Sequence, residues 1–350
     1  MLLSLAPILL LVALLSTSVA LFGSDASYGP NQVALVVAAG ATMLVGWRRG
    51  MSWQQIQDGM VGAITVSIMP MMILLSVGAL IGSWIISGTV PGMIFYGLQL
   101  LNPDIFYAAS AVICALASLS LGSSWTVAGT LGIGLMGIAT TYGLSPAITA
   151  GAIISGAYFG DKLSPLSDTT NLAAAAVGVD LFEHIKNMLW TTLPAFALAL
   201  LFFAIIGSEG AAAPDDITRI RAALSDQFAI TPWVLSPLVL MLAMIYFKIP
   251  AYPAILLCTL CGTAYGAVFQ PEVVRTMALT AHPESPAPLL QGLWMALFSG
   301  YQSPADMDQL SQLLNKGGLA SMLNTIFLIL TAMTFGGLLD STGILRQLLD

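Results

Sequence analysis

Gly160-Asp161-Lys162-Leu163-Ser164-Pro165-Leu166-Ser167-Asp168-Thr169-Thr170-Asn171 follows apolar sequence directly and gathers three charges with several hydroxyl and amide side chains. Pro165 has no N–H and drives Ser164 out of helical geometry, so a helix entering at Pro146 cannot run unbroken through 161–167. Ser167 or Asp168 then caps a new helix through Thr169–Val177. The expected object is a helix, an unwound stretch and a second half-helix, with backbone carbonyls and hydroxyls exposed at the break. The apolar part before it, Pro146–Gly160, has about 15 residues, short of the ~20 needed to span a bilayer. Ala152, Gly156 and Gly160 recur four apart on one face, which predicts close packing against a neighbouring helix.

The surroundings are those of a membrane protein. Hydrophobic residues make up 57% of the 350, charged residues only 8%, and mean hydropathy is +0.90. A soluble domain does not tolerate such a surface. Apolar runs at 2–22, 31–47, 60–87, 105–121, 127–142, 146–160, 190–207, 231–247, 251–269 and 319–339 are read as helices, and shorter ones at 91–101 and 289–300 as interfacial or re-entrant. The fold class is all-α: a polytopic helical bundle, one integral membrane domain over 1–350. The first run lacks a basic n-region and a convincing cleavage site, so it reads as a retained span. Arg48 and Arg49 after the second run place that loop in the cytoplasm.

A weak internal similarity runs along the chain. Leu74–Gly88 and Ile329–Gly343 align at a constant offset, matching Ser76 with Thr331, Gly82 with Gly337, Ser87 with Thr342 and Gly88 with Gly343. The topology count has the two segments crossing in opposite directions, as inverted repeats do. On this reading 60–178 is the core of a first repeat and 318–350 the start of a second, which is truncated.

Non-helical backbone at membrane depth is tolerated only where protein or a water-filled cavity covers it, so the break implies an aqueous site. Carboxylate, carbonyl, hydroxyl and amide oxygens suit a small hard cation, and there is no clustering of Cys or His ligands for zinc or copper. Na+ or a proton is the natural occupant, because one carboxylate binds either. The candidate ion ligands are Asp168 at the centre, with Asp161, Thr169, Thr170, Asn171, Ser167 and Ser164. Asp161 has Lys162 beside it and is expected to face water at the helix end. A second polar cluster from Ser118 to Thr126 is expected to be another broken element, adding the hydroxyls of Ser123 and Ser124.

GDKLSPLSDTTNLA at 160–173, with GVDLFEHIKNMLW at 178–190, LLSVGALIGSWIISGTVPGM at 74–93 and GSSW at 122–125, closely resembles the NhaC family of sodium/proton antiporters. Relatives of that family include sodium–lactate/malate–proton antiporters. The resemblance implies a bacterial inner-membrane secondary transporter with Na+ and H+ as transported ions and no cofactor. Chains of the family look longer at the C-terminus.

Other classes fit less well. Neither H-E-x-x-H nor G-x-S-x-G occurs, and neither His184 nor His282 lies within a hydrophobic span, so an intramembrane enzyme is disfavoured. The net charge of -7 is spread over short loops and suggests no nucleic-acid partner. Cys258 and Cys261 form a C-x-x-C inside an apolar span, without the second pair a metal site needs. His184 is expected on a separate interfacial helix, Leu181–Trp190. The expected partners are Na+, protons and the lipid bilayer, with a homo-oligomer possible.

Overall fold

Most apolar runs become helices near where their lengths place them, but the run at 127–142 is divided at Thr130 into two short helices. The computed structural model describes residues 2–165, 167, 169–170, 173–174, 178–206, 214–247, 249–303 and 314–349. Its α-helices are α1 (Leu2–Phe22), α2 (Pro30–Arg48), α3 (Trp53–Ile86), α4 (Thr89–Leu100), α5 (Phe106–Leu121), α6 (Ser124–Gly129), α7 (Leu131–Thr141) and α8 (Pro146–Leu163). They continue as α9 (Leu181–Ile206), α10 (Pro214–Gln227), α11 (Ser236–Tyr246), α12 (Ala251–Phe269), α13 (Pro271–Ala281), α14 (Pro288–Phe298), α15 (Leu323–Ser341) and α16 (Ile344–Leu349). No strand occurs among the described residues.

Six helices are long and apolar enough to cross a membrane, and up to eight spans result if each bent pair counts as one. The bent pairs are Thr89–Leu100 with Pro103–Leu119, at 100°, and Ile217–Gln227 with Pro232–Met244, at 89°. Each bend sits where a proline interrupts the hydrogen-bond ladder. Asn102 stabilises the first by accepting from the Asp104 N–H at 2.9 Å. These bends are the broken or re-entrant helices expected for an all-α membrane bundle.

Two readings are corrected in detail. The stretch 181–190 is not a separate interfacial helix but the first turns of the 26-residue α9. Asp180 Oδ1 accepts from the N–H groups of Phe182 and Glu183 and starts the helix there, and Pro194 inside does not end it. The helix before the polar segment has 18 residues rather than about 15, because Asp161, Lys162 and Leu163 still belong to it.

The chain forms two compact units, Met1–Leu75 with Ser321–Asp350, and Ser76–Ala320. In the first, α1, α2, the N-terminal part of α3 and α15 enclose Leu35, Ala38, Ala39, Ile56, Phe335 and Leu338. The buried amide of Gln32 is fully used there: it accepts from the Gly29 N–H at 3.0 Å and donates to the Ser27 carbonyl at 2.9 Å and Asn324 Oδ1 at 3.1 Å.

Helix α3 meets α15 in the same unit through Gly59 and Gly337. A Cβ at Gly59 would lie 2.6 Å from Ser341 Cβ, and one at Gly337 would lie 2.6 Å from Ala63 Cβ. As numbers rise from 59 to 63 on one helix they fall from 341 to 337 on the other, so the two cross antiparallel. Gly337→Ala must therefore push α3 away and lower thermal stability in detergent, by about 1–3 kcal/mol. Gly336→Ala, whose Cβ has nothing within 4 Å, should be neutral or slightly stabilising. Equal melting temperatures for the two variants would refute this contact.

Candidate ion-binding site

In the second unit the polar segment terminates α8 by local chemistry alone. Ser145 caps its start, accepting from the Ile148 N–H at 3.4 Å, and Pro146 occupies the first turn. At the other end Ser164 is extended, with φ -79° and ψ 126°, as the residue before a proline must be. The helix breaks where expected, but after Leu163 rather than at Gly160.

A second break lies alongside. α5 ends on Gly122 in the left-handed region, φ 68°, where glycine carries no Cβ penalty, and its N–H donates to the Ser118 carbonyl at 2.7 Å. Ser123 then caps α6, accepting from the Thr126 N–H at 3.3 Å and bonding the Thr126 hydroxyl at 2.9 Å. Ser123 is thus engaged in ending and restarting the helix. Its neighbour Ser124 points elsewhere.

What unites the two breaks is the crossing of α5 and α8. A Cβ at Gly156 would collide with the Ala111 carbonyl oxygen, and one at Gly160 with the Ala115 carbonyl oxygen and the Leu119 nitrogen. Backbone meets backbone, which only the small-residue face predicted from 152, 156 and 160 allows. That contact fixes the rotation of α8. Asp161 turns inward while Lys162, about 100° further round the helix, is exposed. The expectation that Asp161 faces water is therefore corrected: its residue is 9% exposed.

The Asp161 carboxylate accepts a hydrogen bond from Ser124 Oγ at 2.7 Å, across 37 residues of sequence. Thr170 closes the break from the other side, its hydroxyl donating to the carbonyls of Asp161 at 3.2 Å and Lys162 at 3.1 Å. Ser164 and Ser167 are fully buried beside it; the Ser167 hydroxyl bonds that of Thr169 at 2.9 Å and accepts from the Thr170 N–H at 3.3 Å. Thr169 itself is exposed. Asp168 and Asn171 lie outside the described residues.

The electrostatics of Asp161 are demanding. It sits in the last turn of α8, where the helix dipole disfavours negative charge. Among the described residues no Lys, Arg or His pairs with it. A buried carboxylate without a cationic partner is costly.

In the sequence Ser118 stands out only as part of a polar cluster. Its side chain is fully buried at the α5–α8 crossing, with Oγ unpartnered among the described residues, and its Cβ is 2.8 Å from where a Gly160 Cβ would be. The signal was its place on the α5 face carrying Ser110 and Cys114, one helical turn apart each, and only α8 shows what that face meets.

The Na+/H+ antiporter family model matches residues 156–350, beginning at the glycine of this crossing. The chain belongs to the Na+/H+ antiporter family. Curated relatives of this family member include the malate-2H+/Na+-lactate antiporter of Bacillus subtilis, 36% identical over 324 residues that cover 92% of this chain and 66% of the relative. The Na+/H+ antiporter NhaC of Alkalihalophilus pseudofirmus is 37% identical, with 92% and 66% covered. The arginine/ornithine antiporter ArcD of Halobacterium salinarum is 32% identical, with 98% and 67% covered. The chain thus spans about two thirds of the length of the first two. No solved structure matches. Family and helices together make this a multi-pass membrane transporter-family protein.

Proposed function

We propose that the protein exchanges Na+ for H+ by alternating access in a bacterial inner membrane, the two ions competing for the carboxylates at the α8 break. The observation that carries this reading is Asp161: buried, at the negative end of a helix, with a serine hydroxyl as its donor and no cationic side chain beside it among the described residues. Either transported ion would supply the missing positive charge.

Ser124 is read as the hydroxyl that orients Asp161 and contributes an oxygen to the cation, with Ser164, Ser167 and Thr170 lining the break. Asp168 and Asn171 keep the roles given by sequence, the central carboxylate and an amide ligand, and Thr169 and Ser123 act through their neighbours. The antiparallel contact of 59–63 with 337–341 supports the inverted-repeat reading, with 60–178 and 318–350 as counterparts.

The test is dequenching of a pH dye in everted vesicles on adding Na+. Ser124→Ala should raise the half-saturating Na+ concentration about tenfold, the worth of one hydrogen bond to a charged group. An unchanged Na+ dependence at every pH would remove Ser124 from the site.

One second reading has specific support, because a relative at 36% identity is a malate-2H+/Na+-lactate antiporter. Counterflow of malate or lactate in proteoliposomes separates a sodium-coupled organic-acid exchanger from simple Na+/H+ exchange.

A further inference from the structure

Helices α1 and α2 form a hairpin in the first unit, and between them lies a half-open groove of about 690 Å3. Its walls are Ala6, Pro7 and Leu10 of α1 with Ala41 and Leu44 of α2, and Trp47 and Arg48 stand at its end. Alanines at 6 and 41 leave the room. The walls carry no charge until Arg48.

The two arginines that end α2 differ in what they do. Arg49 donates to the Thr342 carbonyl at 2.7 Å and to Gln347 Oε1 at 2.8 Å, holding the C-terminal part of the unit. Arg48 is exposed, with no hydrogen bond or ion pair among the described residues. Arg346 is also exposed, on α16, which packs against α1. The described acids of the same unit, Asp25, Asp58 and Asp340, are exposed too, and none pairs with Arg48 or Arg346 among the described residues.

We infer that this groove binds an anionic phospholipid, one acyl chain lying between α1 and α2 and the phosphate on the Arg48 guanidinium. The apolar walls need a hydrocarbon occupant, which a free phosphate lacks. A guanidinium binds phosphate through two parallel N–H groups, and a zwitterionic headgroup would bring its own cation against Arg48. Trp47, 72% exposed, is the residue type that sits at headgroup level. The positive-inside tendency puts this end at the cytoplasmic leaflet, where basic pockets between spanning helices hold anionic headgroups. This inference does not depend on the transport reading.

The test is native mass spectrometry of the delipidated, purified protein with equal concentrations of phosphatidylglycerol and phosphatidylcholine of the same chains. Phosphatidylglycerol should be retained about tenfold better, and Arg48→Gln, at an exposed position, should erase that preference. Ala41→Phe fills the groove with Arg48 intact and should lower retention of both lipids. Independently, phosphatidylglycerol brominated in its acyl chains should quench Trp47, read as the difference between the protein and Trp47→Phe. That readout stands even should Ala41→Phe not fold. Equal retention of the two lipids, a preference surviving Arg48→Gln, or no quenching of Trp47 would overturn the site. Equal binding of glycerophosphate without acyl chains would overturn it as well, showing a plain anion site.

Discussion

Asp161→Asn should reduce Na+-dependent proton movement in everted vesicles to background, at least a hundredfold if about 3 kcal/mol of charge interaction is lost. Asparagine keeps the volume and the capacity to accept from Ser124, 2.7 Å away, so the helix crossing should survive and the protein should remain folded in the membrane. What goes is the negative charge, and with it both the electrostatic hold on Na+ and the proton site. The companion variant Asp168→Asn distinguishes the two carboxylates of the segment. Should Asp161→Asn exchange Na+ for H+ normally at normal expression while Asp168→Asn does not, the exchanging carboxylate is Asp168. Normal exchange by both would take the site out of this segment altogether.

Gly156→Val should cause the largest loss of folded protein of any single change on α8. Even the first added carbon would strike the Ala111 carbonyl and approach the Ala111 Cα to 3.1 Å, and these are backbone atoms of α5 that no rotamer change can move aside. Overpacking a well-fitted contact costs about 1–3 kcal/mol for added methylenes, and a branched side chain against backbone lies at or above the top of that range. In a bilayer that loss is hard to offset, because helix association rests on close packing and not on hiding apolar surface from water. Gly151→Ala on the same helix is the control: its Cβ has nothing within 4 Å, and alanine favours helix by about 1 kcal/mol over glycine. Size-exclusion chromatography after a temperature series should show Gly156→Val aggregated and Gly151→Ala at least as stable as the parent. A monodisperse, thermally unchanged Gly156→Val would mean that α5 and α8 do not meet here.

The sequence by itself determined the class, most of the apolar helices and the neighbourhood of the breaks that end α5 and α8. Length and apolar character of a run suffice to place a helix in hydrocarbon, because every backbone group must be satisfied within the segment. The ends of α8 and α5 were equally local: the proline at 165 forbids helix at Ser164 through covalent geometry, and glycine at 122 alone takes φ 68° without strain. Even the small face at 152, 156 and 160 was legible, since a fourfold spacing puts it on one side of any helix.

Only the tertiary structure decided that Asp161 is buried and which hydroxyl it meets. Asp161 and Lys162 are neighbours in sequence, and nothing local says which of them turns inward; the rotation is fixed by Gly156 and Gly160 seating against the α5 backbone. The same crossing brings Ser124 to Asp161, selecting it over Ser123, which the local cap retains. The division of labour between Arg48 and Arg49 has the same origin. Thr342 and Gln347, far along the chain, engage one guanidinium and leave its neighbour at the mouth of a groove formed by two packed helices. Caps and breaks depend on a few adjacent dihedral angles, whereas pairings between distant residues depend on how close two backbones can come.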